Sequence, residues 1–168
     1  MLLTASTIGT TLTASRIGTD VLIKTMSTTT TALYKLVKFI ANTDHPGLKN
    51  IQDTLESIDL EYDINVIDKL VTEHDHISDM KDSVKEALLG VTKILQKIHD
   101  ELHIIKKAYE KHKNKYFYKW RSFQCKYNIE TIVKHKEILD SRYDMLIKLL
   151  IIYRDIHKEV IDEKHASN

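Results

Sequence analysis

The chain has 168 residues, of which 42% are hydrophobic and 29% charged, and it contains only four glycines and a single proline. So few turn-forming residues favour long helices with short connections and argue against disorder throughout. The 25 basic and 24 acidic side chains nearly cancel, which excludes an overall field that would recruit nucleic acid or an anionic membrane; any such binding must be local. A chain of this length forms one domain with a real core by default, and we predict a single helical domain over residues 1–168.

Cysteine usage and hydropathy predict the compartment. The one cysteine, Cys125, excludes an intrachain disulfide and fits a reducing environment. No stretch reaches the roughly 18 apolar residues that span a bilayer, and the nearest, residues 145–153, is interrupted by Lys148. We therefore expect a cytoplasmic protein without a membrane-spanning segment.

Residues 1–31 form a block rich in threonine and serine, ending in four consecutive threonines. Threonine and glycine weaken an isolated helix. A helical stripe of apolar residues nevertheless runs through and beyond this block: Ile8, Leu12, Leu22, Met26, Leu33, Val37 and Ile40. The block is predicted to be a loosely held first helix of a bundle, and the alternative is an arm that orders on assembly or at a membrane.

The clearest break in the chain is the segment 41–47. Asp44 can cap a new helix there, and Pro46 is tolerated in a first turn but not in a helix interior. The second helix predicted to begin near Gly47 has two apolar frames, Leu48, Ile51, Leu55, Ile58 and Tyr62, followed by Leu60, Ile64, Ile67 and Val71. A half-buried strand over 58–66 is the alternative, because apolar and polar residues alternate there, but no second strand of similar quality exists to pair with it.

The strongest pattern is a hydrophobic repeat that alternates three and four residues. It runs through Ile77, Met80, Val84, Leu88, Val91, Leu95, Ile98, Leu102, Ile105 and Tyr109. It predicts a third helix of roughly 35 residues, on the order of 50 Å long, that begins near Ser78 or Asp79 and ends or kinks near Asn114. The repeat returns in a fourth helix from about Asn128, at Ile129, Ile132, Leu139, Tyr143, Leu146, Leu150, Tyr153 and Val160.

Two long segments that share one seam are typical of antiparallel or coiled-coil packing. We therefore predict an all-α fold, an antiparallel helical bundle of about four helices with two long C-terminal helices. The bundle core is expected to occupy residues 44–163. A seam this long can also continue into a homo-oligomer.

Two histidines offer a candidate metal site. His99 and His103 are four residues apart on one helical face, the spacing used by helical zinc sites, and the segment 99–103 resembles the metalloprotease motif. It departs from that motif because Asp100 stands where the glutamate base would be, and because no third ligand is obviously placed. Solvated histidines are the favoured interpretation, and we predict no metal site.

A basic and aromatic stretch over residues 111–127 is the strongest local functional signal. It has no acidic residue and half of the aromatic residues of the chain. The residues selected as a candidate interaction patch are Lys113, Lys115, Tyr116, Tyr118, Lys119, Trp120 and Arg121. Cations with amphipathic rings attract a membrane interface or exposed bases. The alternative is structural: the rings plug the end of the bundle core while the lysines between them stay solvated.

Sequence signatures of catalysis are missing. The chain has no glycine-rich phosphate loop, no nucleophile elbow and no Cys-X-X-Cys pair. Cys125 beside Lys126 could have a lowered thiol pKa, but a buried packing cysteine is the favoured interpretation. We predict that the protein is not an enzyme and needs no cofactor or small-molecule substrate.

Two resemblances bear on function. The richness in Lys, Ile, Asp and Tyr, with sparse Gly and Pro, resembles small uncharacterised proteins of large double-stranded DNA viruses, which implies location in a host cytoplasm or virion. The segment 120–123 and the apolar series after it, Ile129, Ile132, Leu139, Leu146, Leu149 and Leu150, are similar in layout to the closing helices of mixed-lineage-kinase-domain-like and fungal HeLo bundles. That resemblance implies a regulated bundle that engages partners or permeabilises membranes.

These observations predict a non-catalytic helical protein that acts in protein–protein interaction or assembly, with a protein partner or a second copy of itself. The alternative is a peripheral membrane-binding or membrane-remodelling bundle that contacts an anionic surface through the candidate interaction patch. Nucleic acid is not the expected partner.

Overall fold

The computed structural model describes residues 18–73, 80–115 and 123–166. These residues form five α-helices: α1 (Thr19–Ala41), α2 (Lys49–Ser57), α3 (Leu60–Glu73), α4 (Asp82–Lys113) and α5 (Lys126–Ala166). A short 3-10 turn, Pro46–Leu48, precedes α2, and no strand occurs in the described ranges. The predicted all-α class is confirmed, and so are the two long C-terminal helices.

The predicted second helix is in fact two helices. Its break lies at Asp59, whose φ of 53° is in the left-handed region that short polar side chains tolerate. The Ile58 and Asp59 amides close the end of α2 by donating to the carbonyls of Thr54 and Glu56. This turn reorients the chain, so that the apolar frame of α2 and the shifted frame of α3 both face the core. The strand alternative for 58–66 is wrong, since residues 60–66 belong to α3.

Side-chain contacts fix the directions of the helices. Asn128 donates a hydrogen bond to Glu101 at 2.7 Å, and Arg142 donates one to the Gly90 carbonyl at 2.7 Å. The residue numbers rise on α5 while they fall on α4, so the two long helices are antiparallel, as predicted.

The α1 helix packs against both α3 and α4. The Thr30 hydroxyl donates to Asp68 of α3, and Lys38 forms an ion pair with Glu61, so α1 and α3 are antiparallel. Leu22, Met26, Leu33 and Ile40 of α1 are all buried. Of the threonine-rich block 1–31, residues 19–31 belong to α1, and residues 1–17 lie outside the described residues.

Two buried threonines in the middle of α1, Thr29 and Thr30, are compatible with burial because their hydroxyls have partners, whereas the buried Thr19 hydroxyl at the start of the helix has no hydrogen-bond partner among the described residues. Thr29 is buried and donates to the Thr25 carbonyl at 2.8 Å, within its own helix. Thr30 is fully buried, and its single hydroxyl proton has two acceptors within reach, the Ser27 carbonyl at 2.9 Å and a carboxylate oxygen of Asp68. A satisfied hydroxyl avoids the cost of about 1–3 kcal/mol for an unpaired buried polar group. The threonine-rich composition therefore does not prevent this helix from entering the core.

The seam residues predicted for the long helices lie in the core. In α4 and just before it the buried members are Met80, Val84, Leu88, Val91, Leu95, Ile98, Leu102, Ile105 and Tyr109. In α5 they are Ile129, Ile132, Leu139 and Leu146, with Tyr143 and Leu150 half-buried against them. Ile77 lies outside the described residues, and the side chain of Val160 is not described.

An ion pair also joins α5 to α3. The Lys136 ammonium lies 2.7 Å from a carboxylate oxygen of Asp63 on α3 and 2.7 Å from Asp140 on its own helix. Burial opposes the charged lysine, but its hydrogen bonds to the two carboxylates and their charges outweigh burial and raise the pKa of Lys136. This contact anchors one side of α5, which leaves another side facing solvent.

Candidate interaction surfaces

Two of the seven predicted members of the basic and aromatic patch, Lys113 and Lys115, are described, and both are exposed at the end of α4 or just after it. The other five predicted members, Tyr116, Tyr118, Lys119, Trp120 and Arg121, lie outside the described residues. Other rings and cations of the described chain lie at this end of the bundle.

Phe123 packs into a cluster of rings at this end of the bundle. Its ring centroid lies 5.5 Å from that of His112 and 6.4 Å from that of Tyr109. Buried His45 contacts Tyr109 and His112 at 5.3 and 5.7 Å. Rings at these distances contribute roughly 0.5–1.5 kcal/mol per pair beyond the area they bury. For Phe123, packing at the end of the core is therefore the correct interpretation.

Gly47 makes room for Phe123 in this cluster. A Cβ at position 47 would lie 2.8 Å from the Phe123 Cβ and 3.0 Å from the His45 Nδ1. The Gly47 amide also donates a hydrogen bond to that nitrogen at 3.0 Å, which fixes the orientation of the His45 ring. The α1–α2 connection and the start of α5 are thus locked together at this end of the bundle.

Exposed groups near the same end have the chemistry of a contact surface. Lys111, Lys113 and Lys115 are exposed and form no ion pair with the described residues, whereas Lys126 pairs with Glu130 at 3.8 Å. Tyr127 is 76% exposed. Cations in the last turn also stabilise the C-terminus of α4 through its helix dipole, which is a structural reason for lysines here.

A second candidate surface lies on the outer side of α5. We define the α5 stripe as Ile138, Met145 and Ile152, which are 42%, 55% and 55% exposed. Their spacing of seven residues places them along one line of the helix, with half-buried Leu149 beside them. Monomeric proteins rarely display contiguous apolar patches, and such patches commonly mark interaction sites. The stripe therefore has the character of a contact surface for another helix.

The sequence itself carries a signal for the stripe. Each of its members directly precedes a predicted seam residue: Leu139, Leu146 and Tyr153. Two heptad series one residue apart indicate a helix that is apolar on two sides. The apolar run over 145–153 has the same meaning, because a helix apolar around most of its circumference needs more than one partner.

Charged groups flank the stripe. Lys148 pairs with Asp144 at 2.6 Å on one flank. On the other flank Arg142 donates to the Gly90 carbonyl of α4. The stripe is thus an apolar line with a polar border, the usual anatomy of a protein contact.

The two histidines of the candidate metal site stack on each other. The His99 and His103 rings are 5.9 Å apart and nearly parallel, and His99 Nδ1 lies 3.2 Å from Asp100. Within residues 18–73, 80–115 and 123–166, no three His, Cys, Asp or Glu side chains come together in a way that could hold a metal ion. The arrangement shows two histidines held by neighbours on their own helix.

Two other features of the described chain carry reactive groups, an open groove and the buried cysteine. An open groove of about 620 Å³ lies where α1, α2 and α3 meet, and its lining includes Gln52, Glu56, Asp59 and Tyr62 but no histidine, serine or cysteine. Cys125 is buried, and burial raises the pKa of its thiol, which disfavours the nucleophilic thiolate.

The described helices bear on the prediction that the chain has no membrane-spanning segment. Among the described helices, none combines the length and the apolar character needed to cross a bilayer.

Comparison with known proteins gives one finding. Over 69 residues the chain is 30% identical to an uncharacterised protein of Acanthamoeba polyphaga mimivirus, a match that covers 41% of this chain and 34% of that protein. The matched part thus spans about a third of the relative's length. The likeness is consistent with origin in a large DNA virus, as the composition predicted. No family model and no solved structure matches, and the resemblance to HeLo-type bundles is not confirmed.

Proposed function

We propose that this chain is a non-catalytic helical-bundle protein that acts in protein–protein interaction or assembly, with the α5 stripe as its contact surface. The observation that carries the proposal is the exposure of three long apolar side chains in one line on α5, beside the side of the helix that packs against α4. The function would serve a large DNA virus, in the host cytoplasm or in the virion, and the likeness to the mimivirus protein supports that setting.

The energetics of the stripe support this proposal. Full burial of an isoleucine or methionine side chain contributes about 1.5–3 kcal/mol, so covering three half-exposed ones contributes roughly 1 kcal/mol each. An amphipathic helix face binds a second helix through such anchors, spaced by whole helical turns. The non-catalytic part of the proposal is supported by the raised pKa of the buried Cys125 thiol and by the histidines that stack on their own helix.

Replacing Met145 by glutamate is expected to abolish association. We expect light scattering to give wild-type protein a mass that rises with concentration to at least twice the 19.5 kDa of the chain. We expect Met145→Glu to remain at the monomer mass, because a charge in the middle of the stripe cannot be desolvated without a partner. The measurement is light-scattering mass across a concentration series.

The matched control is Ile104→Glu, which introduces the same charge at an isoleucine that is 50% exposed on α4. It should associate as the wild type does, and circular dichroism should show that both variants are folded. Equal masses for wild type and Met145→Glu at every concentration would contradict the proposal.

A second candidate function is peripheral binding to an anionic membrane. It is favoured by the exposed Lys111, Lys113 and Lys115, which lack carboxylate partners among the described residues, and by exposed Tyr127 nearby. Each lysine close to an anionic surface contributes about 1 kcal/mol, and salt screens that attraction. A surface of this kind would hold the bundle end-on against the lipid.

Flotation with vesicles of phosphatidylcholine and phosphatidylserine tests this candidate. If it is correct, wild-type protein floats with the vesicles, salt weakens binding, and Lys115→Glu reduces binding about tenfold because it reverses one contact charge. Lys24→Glu is the control, since Lys24 is an exposed lysine near the start of α1, at the opposite end of the bundle. Failure of wild-type protein to float would exclude the membrane function.

A further inference from the structure

We infer that the α5 stripe binds the same stripe of a second copy of this chain, with the two α5 helices antiparallel and Met145 on the two-fold axis. The inference rests on the proposed function and deepens it by specifying the partner and the register.

The stripe is symmetric about its centre. Ile138 and Ile152 each lie seven residues from Met145, which is about 10 Å along the helix. When two such helices align antiparallel at Met145, each Ile138 lies opposite Ile152 of the second copy, and the two methionines meet. All three apolar positions on each helix then have an apolar counterpart. A contact in which the same patch serves both copies is the commonest way that soluble homo-oligomers form.

The charges beside the stripe complement each other in this arrangement. In an antiparallel two-fold pair, each flank of one helix faces the same flank of the other helix. The flank with Asp144 and Lys148 therefore faces the equivalent flank of the second copy. Lys148 of one copy then comes within about one helical turn of Asp144 of the other, and the pair can exchange partners across the contact.

A parallel pair would instead bring this flank against the opposite flank, where Arg142 and Tyr153 lie. Among the described side chains of α5 itself, no carboxylate lies on that flank to receive Lys148. Arg142 is also held by the Gly90 carbonyl at 2.7 Å, so its charge stays in place there. Charge therefore favours the antiparallel orientation over the parallel one.

The stripe is accessible to a second copy. The α4 helix packs on one side of α5 through Arg142, Leu139 and Leu146, and α3 packs on another through Lys136. The stripe faces away from both, and no other described element covers it. Two bundles can therefore bring their α5 helices together without displacing their own neighbours.

Cysteine cross-linking tests the register. Three variants, Ile138→Cys, Met145→Cys and Ile152→Cys, would each be made with Cys125→Ser so that one thiol remains. Each variant is oxidised separately under mild copper catalysis, and we expect only Met145→Cys to form a disulfide-linked dimer, because position 145 meets the same position of the second copy. When they are oxidised separately, we expect Ile138→Cys and Ile152→Cys to remain largely without a cross-link, because each position lies about 21 Å from the same position of the second copy. Their equimolar mixture should form the heterodimer.

Three outcomes would overturn the inference. If Ile138→Cys and Ile152→Cys each cross-link alone and not to each other, the pair is parallel; the proposed function then still stands, because the stripe remains the contact. If none of the three cross-links, while wild-type protein associates and Met145→Glu does not, the stripe binds a different surface of the second copy. A wild-type chain that is monomeric at every concentration would instead remove both the inference and its basis in the proposed function. Light-scattering mass of each reduced variant shows whether that variant still associates, and the cross-linking pattern then distinguishes the orientations.

Discussion

Ile98→Ala is expected to lower the free energy of unfolding by about 2–5 kcal/mol, the range found when a large buried aliphatic side chain is cut back to alanine. Ile98 is fully buried on α4, within the seam shared with the neighbouring helices. The loss combines the transfer free energy of the missing atoms with the cavity they leave. Urea unfolding followed by circular dichroism measures it.

Ile104→Ala provides the matched control for this experiment. It makes the same chemical change six residues further along the same helix, at a side chain that is 50% exposed. We expect a change of less than about 0.5 kcal/mol. Similar losses for the two variants would mean that the face of α4 turned towards the core has been assigned wrongly.

This pair of isoleucines also shows what the sequence could predict. Ile98 belongs to the alternating three-and-four repeat and Ile104 does not, and the structure buries the first and exposes the second. The repeat predicts such differences because a helix turns about 100° per residue, so one line of residues always faces the same neighbour. Helix type, the long seam and the antiparallel direction of α4 and α5 all follow from that periodicity.

The break between α2 and α3 did not follow from periodicity. The shift of the apolar frame after Ile58 indicated two buried faces, which either one straight helix or two angled helices could satisfy. The structure adopts the second solution through the left-handed conformation of Asp59. That choice depends on where α1 lies, because α3 packs antiparallel to α1 through Asp68 and Glu61. Such tertiary information is absent from a local pattern.

The candidate surfaces were predicted unevenly for a related reason. The basic and aromatic patch has a local compositional signal, but burial decides whether its rings pack or remain exposed, and Phe123 packs while Tyr127 is exposed. The α5 stripe was missed because Ile138, Met145 and Ile152 resemble core residues in sequence. Their exposure becomes apparent only from the arrangement of the other described helices around α5, which leaves this side of α5 uncovered.

Gly47→Ala is expected to destabilise the protein by about 1–3 kcal/mol, the usual cost of forcing an extra carbon into a packed region. The new Cβ would lie 2.8 Å from the Phe123 Cβ, closer than real carbon atoms approach, and 3.0 Å from the His45 Nδ1. The Phe123 Cβ is bonded directly to the backbone, so it cannot move away by a change of side-chain rotamer alone. The start of α5 or the turn before α2 must shift instead, and the free energy of unfolding measures the cost.

Gly90→Ala makes the same chemical change with the opposite expected sign, which separates crowding from any general effect of replacing glycine. Gly90 lies inside α4, and its new Cβ would meet only the Arg142 Cδ at 3.8 Å, an ordinary van der Waals contact. Alanine there should stabilise the protein by about 0.5–1 kcal/mol, because glycine loses more conformational entropy in a helix. If both variants gained stability, Phe123 would not be packed against Gly47. Opposite signs would show that Phe123 is packed against the α1–α2 connection at Gly47.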